Sequence, residues 1–135
     1  MNPYLSITFR TFTIWIMAAV INGLLCGIYL SISGYMNDPV PVMIFLSGIL
    51  SLFFAIPGFF IFWIIMLILI NNNFYGRSLF RAALSTGIIL SCCTIYFSFN
   101  LFRGSEGFAI SLFIILSAIT SIMMHFNLFK KIVNN

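Results

Sequence analysis

The chain has 135 residues, of which 62% are hydrophobic and only 6% are charged, and its formal net charge is +4. Soluble globular domains carry roughly 25% charged residues, so this composition excludes an ordinary soluble domain and predicts a membrane protein. The basic residues are scattered through apolar sequence and form no basic stripe, which argues against a nucleic-acid partner.

The first predicted span covers residues 12–33. A helix of this length, at about 1.5 Å per residue, crosses the roughly 30 Å hydrocarbon core of a bilayer. Before it, Asn2 and Pro3 predict the cap and first position of a separate short helix that lies along the membrane interface. A cleavable signal peptide is the alternative, since Arg10 precedes the apolar run, but the run is longer than a usual signal sequence.

The second predicted span covers residues 42–70 and contains Pro57 and Gly58 near its middle. Proline has no amide hydrogen, so Pro57 leaves the carbonyl of Phe53 without its usual helical partner and predicts a kink in this helix. In lipid the freed carbonyl must find another partner, so we expect the kink to face protein.

The third and fourth predicted spans cover residues 79–101 and 108–129. The N-terminal tail, the connection after the second span and the C-terminal tail contain all but one of the basic residues. These are Arg10, Arg77, Arg81, Lys130 and Lys131. By the positive-inside rule both termini are cytoplasmic, and Trp15 and Trp63 then lie towards the inner interface, as aromatic belts do.

These spans predict the fold class of an all-α integral membrane protein. Residues 1–135 form a single transmembrane domain, a four-transmembrane-helix bundle with N-in/C-in topology whose second helix is kinked at Pro57. The expected location is a bacterial inner (cytoplasmic) membrane.

Each predicted span carries small residues at three- or four-residue spacing, a pattern that lets helix backbones approach closely in lipid. The positions are Ala19, Gly23, Gly27, Gly48, Ser51, Ala83, Gly87, Ser91, Ala118 and Ser121. The pattern is typical of helices that pack within one chain, and also of faces that associate between copies. Because a four-helix unit has little interior, we expect a second packing surface that forms a homo-oligomer.

The third predicted span is richer in hydroxyl and amide groups than the other spans. They belong to Thr86, Ser91, Thr94, Ser98 and Asn100. Such a stripe, repeated around an oligomer, could line a pore. Alternatively, the hydroxyl groups bond back to carbonyls of their own helix and need no water.

The ionisable residues argue against catalysis. Asp38 and Glu106 lie in the predicted outer connections, whereas the only histidine, His125, lies near the inner face. Roughly 30 Å of lipid separates them, and the members of a catalytic triad must meet within hydrogen-bond distance. One histidine with scattered cysteines supplies no metal-ligand set. We therefore expect no enzyme activity, no cofactor and no metal.

Three functions remain open. The favoured one is a non-enzymatic membrane subunit that oligomerises through its helices and serves as sensor, anchor or scaffold for a protein partner at its cytoplasmic face. The cations of that face could also contact anionic headgroups of the lipid bilayer. The alternatives are a homo-oligomeric pore or channel lined by the third helix, and an immunity-type membrane protein that blocks a membrane-active toxin.

Overall fold

A computed structural model describes residues 2–34, 37–99 and 105–132, and for residues 97–99, 105 and 106 it describes the backbone alone. The described residues form α-helices and no strand, so the prediction of an all-helical chain is confirmed. The helices are α1 (Pro3–Ile32), α2 (Val40–Phe54), α3 (Ile56–Asn71), α4 (Gly76–Phe99), α5 (Ser105–Met124) and α6 (Phe126–Lys130).

Several of these helices have the length and composition of membrane spans. Three described helices, α1, α4 and α5, contain stretches long and apolar enough to cross a membrane. Helices α2 and α3 reach that length only together, and they are bent by 51° where they meet. The described chain therefore has three candidate membrane helices, or four if the bent pair counts as one span.

Helix α1 is continuous from Pro3 to Ile32. The cap prediction is confirmed, because the Asn2 side chain accepts a hydrogen bond from the Tyr4 amide at 3.0 Å and Pro3 opens the helix. The prediction of a separate short helix is wrong, and its position at the membrane interface stays untested. No breaker interrupts the first turns of α1, and Ile7 is fully buried against the bundle, so this segment belongs to the same continuous helix as the first predicted span.

The break between α2 and α3 falls at Ala55, whose amide donates to the Ser51 carbonyl at 3.0 Å. Pro57 lies in the first turn of α3, where a missing amide hydrogen is tolerated. The expectation that the kink faces protein is wrong for the proline itself, because Pro57 is exposed. A proline ring clashes with the preceding turn and opens the helix on its own side, and here that side points away from the bundle.

Together α2 and α3 run antiparallel to α1. Three pairs of hydrogen-bonded side chains mark the register. They are Tyr4 with Asn71, Thr8 with Trp63, and Asn22 with Ser51. The position on α1 rises as the position on its partner falls, through both α3 and α2. The bent pair therefore continues along α1 without turning back.

Four helices form a ring in one half of the bundle, where α1 contacts α3, α3 contacts α4, α4 contacts α5, and α5 contacts α1. The centre of this ring is filled by buried apolar side chains. They are Ile7, Ile14, Phe62, Met66, Ile70, Leu79, Ala83, Ile122, Phe129 and Ile132. We call this part, defined by α3 and these residues, the closed half.

In the other half α2 takes the place of α3. Helix α2 packs on α1, but within the described residues no Cα atom of α2 lies within 8 Å of α4 or α5. We call this part, defined by α2 and the segments of α1, α4 and α5 beside it, the open half.

Both tails leave the bundle at the same end as the connection between α3 and α4. The Gly76 amide donates to the Ile132 carbonyl at 3.1 Å, and Tyr4 contacts Asn71 nearby. We call this the basic end because five cations lie there. They are Arg10, Arg77, Arg81, Lys130 and Lys131. The sixth basic residue, Arg103, lies outside the described residues.

Candidate functional site

Two pairs of exposed cations meet at the basic end. Arg77 and Arg81 lie in the first turns of α4, and Lys130 and Lys131 lie at the end of α6. The hydrogen bond between the Gly76 amide and the Ile132 carbonyl holds the two segments side by side. The four charges, predicted from separate parts of the sequence, therefore belong to one surface.

Local contacts hold two of the cations. The Nζ atom of Lys130 lies 4.1 Å from the ring centroid of Phe126, a cation–π contact. The half-buried Arg10 donates from Nε to the Ser6 hydroxyl at 3.2 Å. Both acidic residues of the chain belong to the other end, since Asp38 precedes α2 and Glu106 begins α5. Among the residues that the structure describes, no acidic side chain therefore lies beside the basic end.

The histidine that could have marked an ionisable site, His125, lies between α5 and α6. The sequence predicts one helix over residues 108–129, whereas the structure breaks it here. His125 is buried, and its Nδ1 atom lies 2.8 Å from the Ser121 carbonyl. The ring is thus held by the backbone of its own helix.

The predicted glycine pair on α1 packs against α2. A Cβ atom on Gly23 would lie 2.6 Å from the Gly48 Cα atom, and one on Gly27 would lie 2.5 Å from the Ile44 Cα atom. Real Cβ atoms do not come this close to backbone, so only glycine permits this approach. Gly23 and Gly27, which are four positions apart, thus serve packing within one chain.

The other predicted small residues also lie within the bundle. Ser121 donates to the Ile14 carbonyl at 2.7 Å, Ser51 accepts from Asn22 at 2.7 Å, and Gly87 lies against the Ile122 side chain. Ala19 and Ala83 are buried, and Ala118 lines a cavity described below. The homo-oligomer stays a prediction. The small residues that suggested it make their packing contacts within one chain.

The polar residues of α4 are largely bonded to their own helix. Ser91 donates to the Gly87 carbonyl at 2.8 Å and Thr94 donates to the Leu90 carbonyl at 2.9 Å, as the second interpretation of this stripe predicts. Thr86 is half-exposed on the same helix. The side chain of Ser98 and the whole of Asn100 lie outside the described residues.

The open half contains a cavity of about 450 Å³. This volume falls within the roughly 300–1,000 Å³ of small-molecule sites in proteins. Its walls come from α1, α2, α3, α4 and α5, and most of the side chains are apolar. Gly58, predicted as part of the kink, forms part of the wall where α3 begins.

Two polar groups in the cavity wall have no hydrogen-bond partner among the described residues. They are the hydroxyl of Thr11, which is only 1% exposed, and the indole Nε1 of Trp15. The two residues are four positions apart and so share one face of α1. The Trp15 ring also lies 5.0 Å from the Phe59 ring, centroid to centroid. Buried polar groups are rarely left unpaired. Both atoms are nevertheless occluded from the cavity space, so the pair is an unsatisfied feature of the wall and does not form a binding site.

Sequence reasoning missed this pair and assigned Trp15 to an interfacial belt. A signal was present, because Thr11, Trp15, Asn22 and Cys26 recur at helical spacing on one face of α1. All four line the cavity.

Comparisons of the chain with protein-family models, with curated proteins and with solved structures found no match. The chain is therefore classed by its own features, as an all-helical protein with three or four helices able to span a membrane.

Proposed function

We propose that the chain is a non-enzymatic protein of a bacterial cytoplasmic membrane, which crosses the bilayer four times and anchors a protein partner at its basic end. Both tails lie in the cytoplasm in this proposal. The observation that carries it is the clustering of Arg77, Arg81, Lys130 and Lys131 on one surface.

Four crossings require that α2 and α3 act as one bent span. The register with α1 supports this, because α3 contacts the first part of α1 and α2 contacts the later part. A re-entrant pair would turn back towards its starting side, whereas a bend of 51° together with the continuous register along α1 supports a single bent span.

The cytoplasmic assignment rests on charge. Lysine and arginine accumulate on the cytoplasmic side of membrane proteins, and five of these residues lie at the basic end. The surface also attracts acidic groups, because in the described part of the chain no Asp or Glu side chain lies beside it. Anionic lipid headgroups account for part of this attraction, at about 1 kcal/mol per cation near the membrane surface.

A protein partner can be separated from lipid by site-specific photo-crosslinking in cells. A photoreactive amino acid replaces Phe74 or Leu128, which are exposed at the basic end, or Ile32, which is exposed at the opposite end. We expect a discrete protein adduct from the first two positions and none from Ile32.

The contribution of the four cations to partner binding is then tested in the same crosslinking assay. Replacing Arg77, Arg81, Lys130 and Lys131 together by Gln should reduce the adduct at least about fourfold, because each exposed ion pair contributes roughly 0.2–1 kcal/mol. The matched control is Arg103→Gln, with a C-terminal topology reporter to show that the tail stays inside. An unchanged adduct in the fourfold variant, with topology retained, would contradict the proposal.

The pore alternative receives less support, because the hydroxyls of Ser91 and Thr94 face a cavity within one chain and bond to their own helix. The immunity-type alternative stays a prediction that a toxin-challenge assay addresses.

A further inference from the structure

We propose that a phospholipid with a net negative headgroup binds along the outside of α4 and α5, with its phosphate at the cations of the basic end and its acyl chains on the exposed apolar residues that follow them. We call this surface, defined by Arg77, Arg81, Ile88, Leu116 and Met123, the α4–α5 seam. The inference rests on the proposed membrane orientation of the chain but not on the protein partner.

One face of α4 begins with cations and continues with apolar side chains. Arg81 follows Arg77 by four positions and Ile88 follows Arg81 by seven, so the three residues share one face of the helix. Both arginines and Ile88 are exposed. Long arginine side chains reach a headgroup region while the rest of such a face stays in hydrocarbon.

Helix α5 extends the same surface. Helix α4 starts at the basic end and α5 finishes there, so the two helices are antiparallel, and Gly87 lies against the Ile122 side chain between them. The residues that follow this contact, Ile88 and Met123, turn to the same side because the two chains run in opposite directions. Leu116 lies seven positions before Met123 on the same face, and both are exposed.

A third cation lies beside the first turns of α4. The Nζ atom of Lys130 lies 4.1 Å from the ring centroid of Phe126. The Phe126 ring in turn packs edge to face on Phe80, with 4.6 Å between the ring centroids. Phe80 directly precedes Arg81 in α4, so the aromatic pair brings Lys130 to the arginines.

This arrangement matches a phospholipid better than a soluble molecule. Cations at one end of a long exposed apolar surface pair with a headgroup and its acyl chains, whereas a soluble partner reaches only the cations. The headgroup should carry a net negative charge, because no Asp or Glu side chain of the described residues lies beside these cations. Basic surfaces at the cytoplasmic ends of membrane helices attract anionic headgroups in this way.

The bound lipid can be captured by photo-crosslinking of the purified full chain. A photoreactive amino acid replaces Met123, and the chain is reconstituted in nanodiscs that contain equal amounts of phosphatidylglycerol and phosphatidylcholine with the same acyl chains. The mass of each adduct identifies the captured lipid. The matched control is Ile61, which is 48% exposed against 57% for Met123 and lies on α3, a helix without cations.

We expect phosphatidylglycerol to exceed phosphatidylcholine at least about fivefold in the Met123 adduct, the effect of one cation near a membrane surface. The Ile61 adduct should follow the composition of the bilayer. Replacing Arg77, Arg81 and Lys130 by Gln should bring the ratio at Met123 to the ratio at Ile61. Replacing the two arginines by Lys keeps the charge and should retain the enrichment.

Equal lipid ratios at Met123 and Ile61 would overturn the proposal, and so would an enrichment at Met123 that survives the three Gln substitutions. Equal ratios together with a charge-dependent protein adduct at Leu128 in cells would show that the cations bind a protein alone, so that only this inference fails. Enrichment at Met123 without a protein adduct at Leu128 would support the lipid site and contradict the anchor function.

Discussion

The closed half and the open half are built from the same apolar residue types, yet only one of them is filled. In the closed half four helices surround side chains such as Met66, which is 0% exposed. In the open half α2 packs against α1, and a cavity separates α2 from α4. The difference shows that hydrophobicity alone does not decide which of these helices pair. In a bilayer this is expected, because lipid tails are as apolar as leucine.

Backbone approach decides the pairing instead. Gly23 and Gly27 let α2 come against α1 at distances that any side chain would forbid. The break at Ala55 frees α2 to follow this contact while α3 stays in the ring. The cavity is thus a consequence of one close helix pair and one bend.

The strongest test of the difference in packing is to truncate one side chain in each half and compare the losses of stability. Met66→Ala should cost about 3 kcal/mol of stability, since it leaves a cavity in a packed core. Leu50→Ala should cost less than about 1 kcal/mol, because Leu50 is 48% exposed and borders an existing cavity. Reversible unfolding in mixed detergent micelles measures both values, and equal losses would show that the two halves are packed alike.

A smaller loss of stability is expected from a substitution at the close contact between α1 and α2. Gly27→Ala should destabilise the chain by about 2 kcal/mol, because its Cβ atom meets the backbone of Ile44. Gly48→Ala is the matched control on the facing helix, where a Cβ atom meets nothing within 4 Å, and it should be neutral or slightly stabilising. The same unfolding assay applies, and tolerance of both substitutions would mean that α1 and α2 are not held by this contact.

The smallest effect concerns the hydrogen bond that joins α1 and α2. Asn22 donates to the Ser51 hydroxyl at 2.7 Å. A double-mutant cycle with Asn22→Ala and Ser51→Ala should give a coupling energy of about 0.6 kcal/mol, the average for such bonds within membranes. A coupling energy indistinguishable from zero would leave the glycine contact as the sole specific link between these helices.

The sequence predicts the helices well because long apolar runs and their lengths are local properties. The chain breaks at Ala55, two residues before Pro57, and a kink at Pro57 itself stays a prediction. The sequence does not predict that Pro57 is exposed or that α1 continues through the expected interfacial segment. Both depend on which face of the helix meets the rest of the bundle.

For the candidate sites too, the sequence predicts local features but not those that depend on contacts between distant segments. The cations of the basic end could be counted in the sequence, but their union into one surface depends on the long-range contact of Gly76 with Ile132. The cavity could not be predicted, because it arises where α2 fails to reach α4. Thr11 and Trp15 are spaced so that they share one face of α1, but only the structure shows that this face borders the cavity.

The most direct test of the account is a map of the membrane sides by cysteine labelling. In a background with Cys26, Cys92 and Cys93 replaced by Ala, single cysteines replace Asn2, Asn37 or Asn73. The account predicts that an impermeant maleimide labels position 37 on intact spheroplasts and labels positions 2 and 73 only after permeabilisation. Labelling of position 73 on intact spheroplasts, or of positions 2 and 37 from the same side, would contradict four crossings with cytoplasmic tails.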